Sequence, residues 1–168
     1  QGDAPALPER SDAARHAGCD AQPIDLQAPG ADTRLMSYVW AGHTERMQRL
    51  RAAIGLAQRL GVRVAQEDAM TWVKRELAAP RPGVVTVLYH SVVWQYLPAA
   101  TQAGLLETIA AAGARATREA AFAWLAFEPP GEAPFELCLT LWPGGQRHVL
   151  AQAQAHGQWV KWRPPATP

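Results

Sequence analysis

The stretch VVTVLYHSVVWQYLP, residues 84–98, decides the fold class. From Val84 to Tyr89 the residues are β-branched, aliphatic or aromatic without polar alternation, which predicts a strand covered on both faces in a parallel sheet. The run then delivers His90 and Ser91, and an aromatic-rich segment follows as far as Pro98. In open α/β sheets ligands sit outside the carboxyl ends of the strands, where loops vary freely and helix N-termini direct N–H groups toward a crevice. On that rule His90 and Ser91 face a ligand site.

Working outward, PAATQAGLLETIAAAG reads as a helix with Pro98 suited to its first turn and Gly113 to its C-cap. Upstream, VRVAQED reads as a short strand. Asp68 can cap a helix over AMTWVKRELA that ends before Pro80 and Pro82. Two successive strand-helix units predict a parallel sheet with right-handed crossovers. Earlier still, TRLMSYVWAG is a short helix closed by Gly42, and TERMQRLRAAIGLAQRLG is a longer one between an N-cap at Thr44 and a stop at Gly61. Met47, Leu50, Ile54 and Ala57 form its apolar stripe, opposite Arg46, Arg49, Gln58 and Arg59. At most a short strand ends near Asp20.

Beyond Gly113 the period changes. AFAWLAFEP is a further strand, and FELCLTLW alternates Phe135, Leu137, Leu139 and Leu141 with Glu136, Cys138, Thr140 and Trp142. PGGQ turns the chain into RHVLAQAQA, and His156-Gly157 turns it again into QWVKW. The expected fold is α/β: a mixed sheet of parallel strands with crossover helices and a C-terminal antiparallel meander. It occupies residues 14–168 as one domain, after loop or disorder over residues 1–13.

The whole chain has 168 residues, enough for one domain with a core of its own. Sixteen Lys and Arg against 15 Asp and Glu leave a net charge of +1, with no basic stripe, which argues against nucleic acid as a partner. Cys19 and Cys138 are too few and too far apart for a disulfide framework or a zinc site; two reduced thiols favour the cytoplasm. No stretch approaches the roughly 20 apolar residues of a membrane helix. The opening QGDAPALPER lacks Met and any secretion signal, and reads as a cut inside a longer protein.

Three polar positions fall at expected strand ends: Asp20 after HAGC, Asp68 after VRVAQE, and His90-Ser91 after VVTVLY. An acid after one strand can accept hydrogen bonds from ribose hydroxyls, and an acid after the next can accept one from an adenine amino group, so the pair suits an adenosine-type cofactor. Each has a plainer reading, with Asp20 as a turn residue, Asp68 as an N-cap and His90 as a core histidine bonded to backbone. Trp94 and Tyr96 can stack on a purine or pack in the core. Ser91 lacks a nucleophile elbow, and its neighbour His90 points to the opposite face of an extended chain, which disfavours a serine hydrolase. The histidines at 16, 43, 90, 148 and 156 have no metal-ligand spacing, and WPGGQR reads as a hairpin turn.

GCDAQPIDL, LMSYVWAGHTERMQRLRAAI, DAMTWV, HSVVWQYLP, AFAWLAFEP, LWPGG and HGQWVKW together resemble the carboxyl-terminal half of a bacterial family known as domain of unknown function 2332. The resemblance spans residues 14–162, and the family brings no established activity with it. A broader resemblance is to class I S-adenosylmethionine-dependent methyltransferases. GCDAQP is similar to the end of their second strand, EDA to the end of the third, and VVTVLYHSVVWQYLP to the fourth. This implies a Rossmann-like fold with S-adenosylmethionine as cofactor. Asp20 would meet the ribose and Asp68 with Ala69 the adenine; Ser91 would lie beside the cofactor, and His90 would orient or deprotonate a small-molecule or protein substrate. The glycine-rich loop of such enzymes would lie upstream of residue 1, so the N-terminal part of the fold is expected to be missing. Position 90 departs from the acidic or Asn-Pro-Pro-type signature of many methyltransferases. The alternative is a non-catalytic binding or scaffold module on the same fold. A nicotinamide-dependent oxidoreductase is disfavoured by the antiparallel end.

Overall fold

Short paired segments bounded by glycine and proline, and one long antiparallel run after Gly113, organise the protein into two units. In a computed structural model, residues 12–131 and 134–163 are described. The expectation of loop or disorder over residues 1–13 lies outside them except at residues 12 and 13, which have no regular secondary structure. One unit comprises residues 15–72; the other takes in the residues before 15 and the chain from Val73 onward.

In the first unit, β1 (Cys19–Asp20) pairs in parallel with β2 (Ala65–Gln66), Cys19 opposite Ala65 and Asp20 opposite Gln66. Between them lie α1 (Ala31–Met36) and α2 (Thr44–Arg59). Helix α2 keeps the expected stripe: Ile54 is buried and Met47, Leu50 and Ala57 are half-buried, while Arg46, Arg49, Gln58 and Arg59 are exposed. Its start is one residue earlier than expected, because Thr44 is already helical and His43 holds the N-cap without a side-chain bond. Its end is as expected, with Gly61 at φ 61°, a left-handed conformation that costs glycine little. Two amides clasp this end, Gln27 Nε2 donating to the Gln58 carbonyl at 3.2 Å and Gln58 Nε2 to the Leu26 carbonyl at 2.8 Å.

Helix α3 (Ala69–Glu76) contains the boundary between the units. The second unit holds β3 (Thr86–Ser91), a 3₁₀ turn over Trp94–Tyr96, α4 (Ala99–Ala114), β4 (Phe122–Glu128), β5 (Phe135–Trp142), β6 (Gln146–Ala153) and β7 (Val160–Trp162). The strands run in sheet order β3-β4-β5-β6-β7, with β3 and β4 parallel and the rest antiparallel. The mixed α/β class and the terminal meander agree with the sequence reading. The described strands form two sheets, a parallel pair and a mixed five-stranded one, where the sequence suggested a single sheet.

Helix α4 is the crossover between β3 and β4, and Leu105, Ile109 and Ala112 form its buried face. Gly113, expected as a C-cap, is instead a buried residue inside the helix. A β-carbon there would collide with the Trp142 indole, which stacks on Phe122 at 5.2 Å. Glycine is needed for close approach, a requirement that local sequence does not separate from a cap.

Strand β3 also differs from expectation. Thr86, Leu88 and His90 are half-buried, whereas Val87 and Tyr89 on the other face are 56% and 57% exposed. The run is apolar throughout but only one of its faces is covered, and β3 forms one edge of the five-stranded sheet. Among the described residues no helix is long and apolar enough to cross a membrane.

Candidate functional site

Register sets the site. His90 lies opposite Ala126 and Ala126 opposite Cys138, so one row crosses three strands; Leu88, Trp124 and Thr140 form the next row, and Glu128 faces Glu136. Paired residues project to the same face of a sheet. Arg147 on β6 is opposite Thr140 and joins that face. Apart from Leu88, these side chains, with Trp94 and Leu106, line a cavity of about 210 Å³.

At its centre, His90 Nδ1 lies 2.8 Å from Glu128 Oε1, and Trp124 Nε1 donates to His90 Nε2 at 3.0 Å. An N–H pointing at Nε2 makes that nitrogen the acceptor, so the imidazole proton sits on Nδ1 and the ring is neutral. The plainer reading of His90 had a backbone partner; its partners here are two side chains. The ring also stacks on Trp94 at 5.3 Å and tilts against Trp124 at 5.9 Å.

Glu128 organises the turn after β3. Besides His90, its Oε1 accepts the backbone N–H groups of Val93 at 3.0 Å and Trp94 at 3.2 Å. The residue before them, Val92, has φ 53°, a left-handed conformation that a β-branched side chain rarely adopts. Three donors converging on one carboxylate oxygen hold that backbone in place. The other oxygen, Oε2, is buried and has no hydrogen-bond partner among the described residues.

The far wall is built from β5 and β6. Arg147 Nη2 donates to Cys138 Sγ at 2.8 Å and lies 3.9 Å from Glu136 Oε2. Burial pushes the Cys138 thiol above its ordinary pKa; Arg147 opposes the shift and Glu136 adds to it. The thiol is therefore protonated at neutral pH, a wall atom and not a nucleophile.

The expected rim residues are distributed between the units. β1 and β2 bring Asp20 and Asp68 to one end of a parallel pair, with the Glu67 N–H donating to the Asp20 carbonyl at 3.1 Å. Asp20 Oδ1 accepts the Gln22 N–H at 2.7 Å, an Asx turn. Asp68 Oδ1 accepts the Thr71 N–H at 3.1 Å, the N-cap bond of α3, whose first residue is Ala69. Both carboxylates thus have the local roles of their plainer readings. His90 and Ser91 end β3 in the other unit, His90 turned into the cavity and Ser91 exposed.

Sequence reasoning did not single out Glu128, Trp124, Glu136, Cys138, Thr140 or Arg147 as site residues. Glu128 was findable, since it ends an apolar strand just as His90 does. Glu136, Cys138 and Thr140 were visible as one face of an alternating strand, but the register that sets them beside His90 is a long-range property.

Over residues 1–162 the chain matches the model of a family described as uncharacterised protein conserved in bacteria, DUF2332. No curated protein and no solved structure matches it.

Proposed function

The chain belongs to the uncharacterised bacterial family DUF2332, and from that premise we propose that it is a methyltransferase-type domain that uses S-adenosylmethionine. The observation that carries the reading is the parallel register of β1 and β2, which sets the Asp20 and Asp68 loops at one end of the pair. Two carboxylates so arranged fit a nucleoside: Asp20 accepts the ribose hydroxyls, and Asp68 with Ala69 meets the adenine amino group. Ser91 is exposed at the end of β3 in the other unit. When bound, S-adenosylmethionine supplies an electrophilic methyl group. His90 orients the substrate; to take its proton, Nε2 must first exchange the Trp124 N–H for the substrate. We take the compartment to be the cytoplasm, where thiols at Cys19 and Cys138 stay reduced.

Isothermal titration of the protein with S-adenosylmethionine and S-adenosylhomocysteine tests this. Micromolar binding of both is expected, with at least a tenfold loss in Asp20→Ala. Absence of heat from folded protein retires the cofactor.

A second reading is a binding module without catalysis, favoured by the engagement of both His90 ring nitrogens. In that case Asp20→Ala and Asp68→Ala lower stability and leave ligand binding unchanged.

A further inference from the structure

We infer that the cavity beside His90 binds an organic ammonium ion. Its wall carries one uncompensated negative charge. Glu136 is balanced by Arg147 at 3.9 Å, whereas the ion-pair partner of Glu128 among the described residues is His90, which is neutral while Trp124 donates to its Nε2. The Glu128 and His90 side chains are only 16% and 14% exposed, so that charge is weakly screened. Its Oε2 is buried and has no hydrogen-bond partner among the described residues, so no second donor there offsets the carboxylate's charge.

The remaining wall suits the rest of such a guest. Trp94 and Trp124, with ring centroids 6.0 Å apart, present aromatic surface that attracts a cation. Leu106, Ala126 and Pro129 are apolar and take a hydrocarbon body. A neutral guest gains the apolar contacts and at most a hydrogen bond without the charge attraction, and an anion meets the Glu128 charge. Arg147, on the same wall, repels a cation and sets the sign of a further test. As the acceptor substrate of a methyl transfer, the amine rests on the preceding reading; as a bound cation it does not.

Phenethylammonium, 2-phenylethanol and 3-phenylpropionate serve as probes, each titrated into the ¹⁵N-labelled chain while the indole N–H signals of Trp94 and Trp124 are followed. The ammonium shifts both saturably, the alcohol binds at least tenfold more weakly, and the carboxylate produces no shift. Glu128→Gln, whose amide oxygen still accepts the His90, Val93 and Trp94 donors, weakens the ammonium at least tenfold; Arg147→Met strengthens it. Equal affinity for alcohol and ammonium, or preference for the carboxylate, overturns the inference, and that comparison needs only the unaltered chain. Ammonium binding here, with no S-adenosylmethionine heat from the folded protein, keeps the cation site and retires the methyltransferase. Cofactor heat without ammonium binding does the reverse.

Discussion

The protein contains two parallel strand pairs that differ in what holds them. β1 and β2 pair over two residues each, and the acids at their ends are fastened by bonds to their own loops, Asp20 to Gln22 and Asp68 to Thr71. β3 and β4 pair over six, inside a sheet that three more strands extend, and the polar residues at their ends, His90 and Glu128, bond to each other across 38 positions of sequence. Short-range bonds leave the first pair's carboxylates near solvent, where a ligand can compete for them. Long-range bonds fix the second pair's groups in a cavity wall. The first arrangement is that of a rim and the second that of a preorganised pocket.

The largest expected effect tests whether the second unit depends on distant packing. Gly113→Val forces a branched side chain into the Trp142 indole, and overpacking of this kind costs about 3 kcal/mol, read as a lower urea midpoint at unchanged m-value. Should the variant unfold like the parent, α4 and β5 are not tightly packed and the contrast fails. Next is Glu128→Leu. It leaves the His90 Nδ1–H and the Val93 and Trp94 N–H groups without their acceptor, at a cost of about 2 kcal/mol. In ¹⁵N spectra the Trp124 indole signal should move as His90 loses its anchor.

How much of this could be read in the chain follows the same division. The cap at Asp68, the stop at Gly61 and the stripe of α2 are local, and a window of a few residues contains their cause. The meander was legible because FELCLTLW and its turns carry a period of two. Gly113 was misjudged because close approach to an indole 29 positions later has no local signature. The partners of His90 were missed for that reason too. Its place at a strand end was evident, but its contacts with Trp124 and Glu128 depend on which strand adjoins β3 and in what register.

On the first pair a smaller effect is expected. Asp68→Ala removes one capping bond to α3 and costs about 1 kcal/mol. Hydrogen exchange separates local from global opening: the Thr71 and Trp72 amides should exchange faster while those of β4 and β5 keep their protection. A loss as large as that of Glu128→Leu, spread over both units, would mean that Asp68 anchors distant structure in the way Glu128 does, and the rim would no longer differ from the pocket.

The smallest effect is a pH dependence confined to the second unit. The Cys138 thiol has a pKa raised by burial, so the folded protein holds that proton more tightly than the unfolded chain does. The contribution to stability is fully present below the ordinary thiol pKa. It is lost as pH rises from that value through the higher folded one, because the unfolded state alone can ionise cheaply. Urea midpoints taken between about pH 7 and pH 10, above the ordinary thiol value of roughly 8.5 in their upper half, should therefore fall more steeply for the parent than for Cys138→Ala. Arg147 acts against burial, so Arg147→Met should steepen the fall. A shallower fall in that variant would mean that the guanidinium, 2.8 Å from the sulfur, does not favour the thiolate as its charge requires. The assignment of Arg147 as the cation that balances this wall, and leaves Glu128 unbalanced, would fail with it.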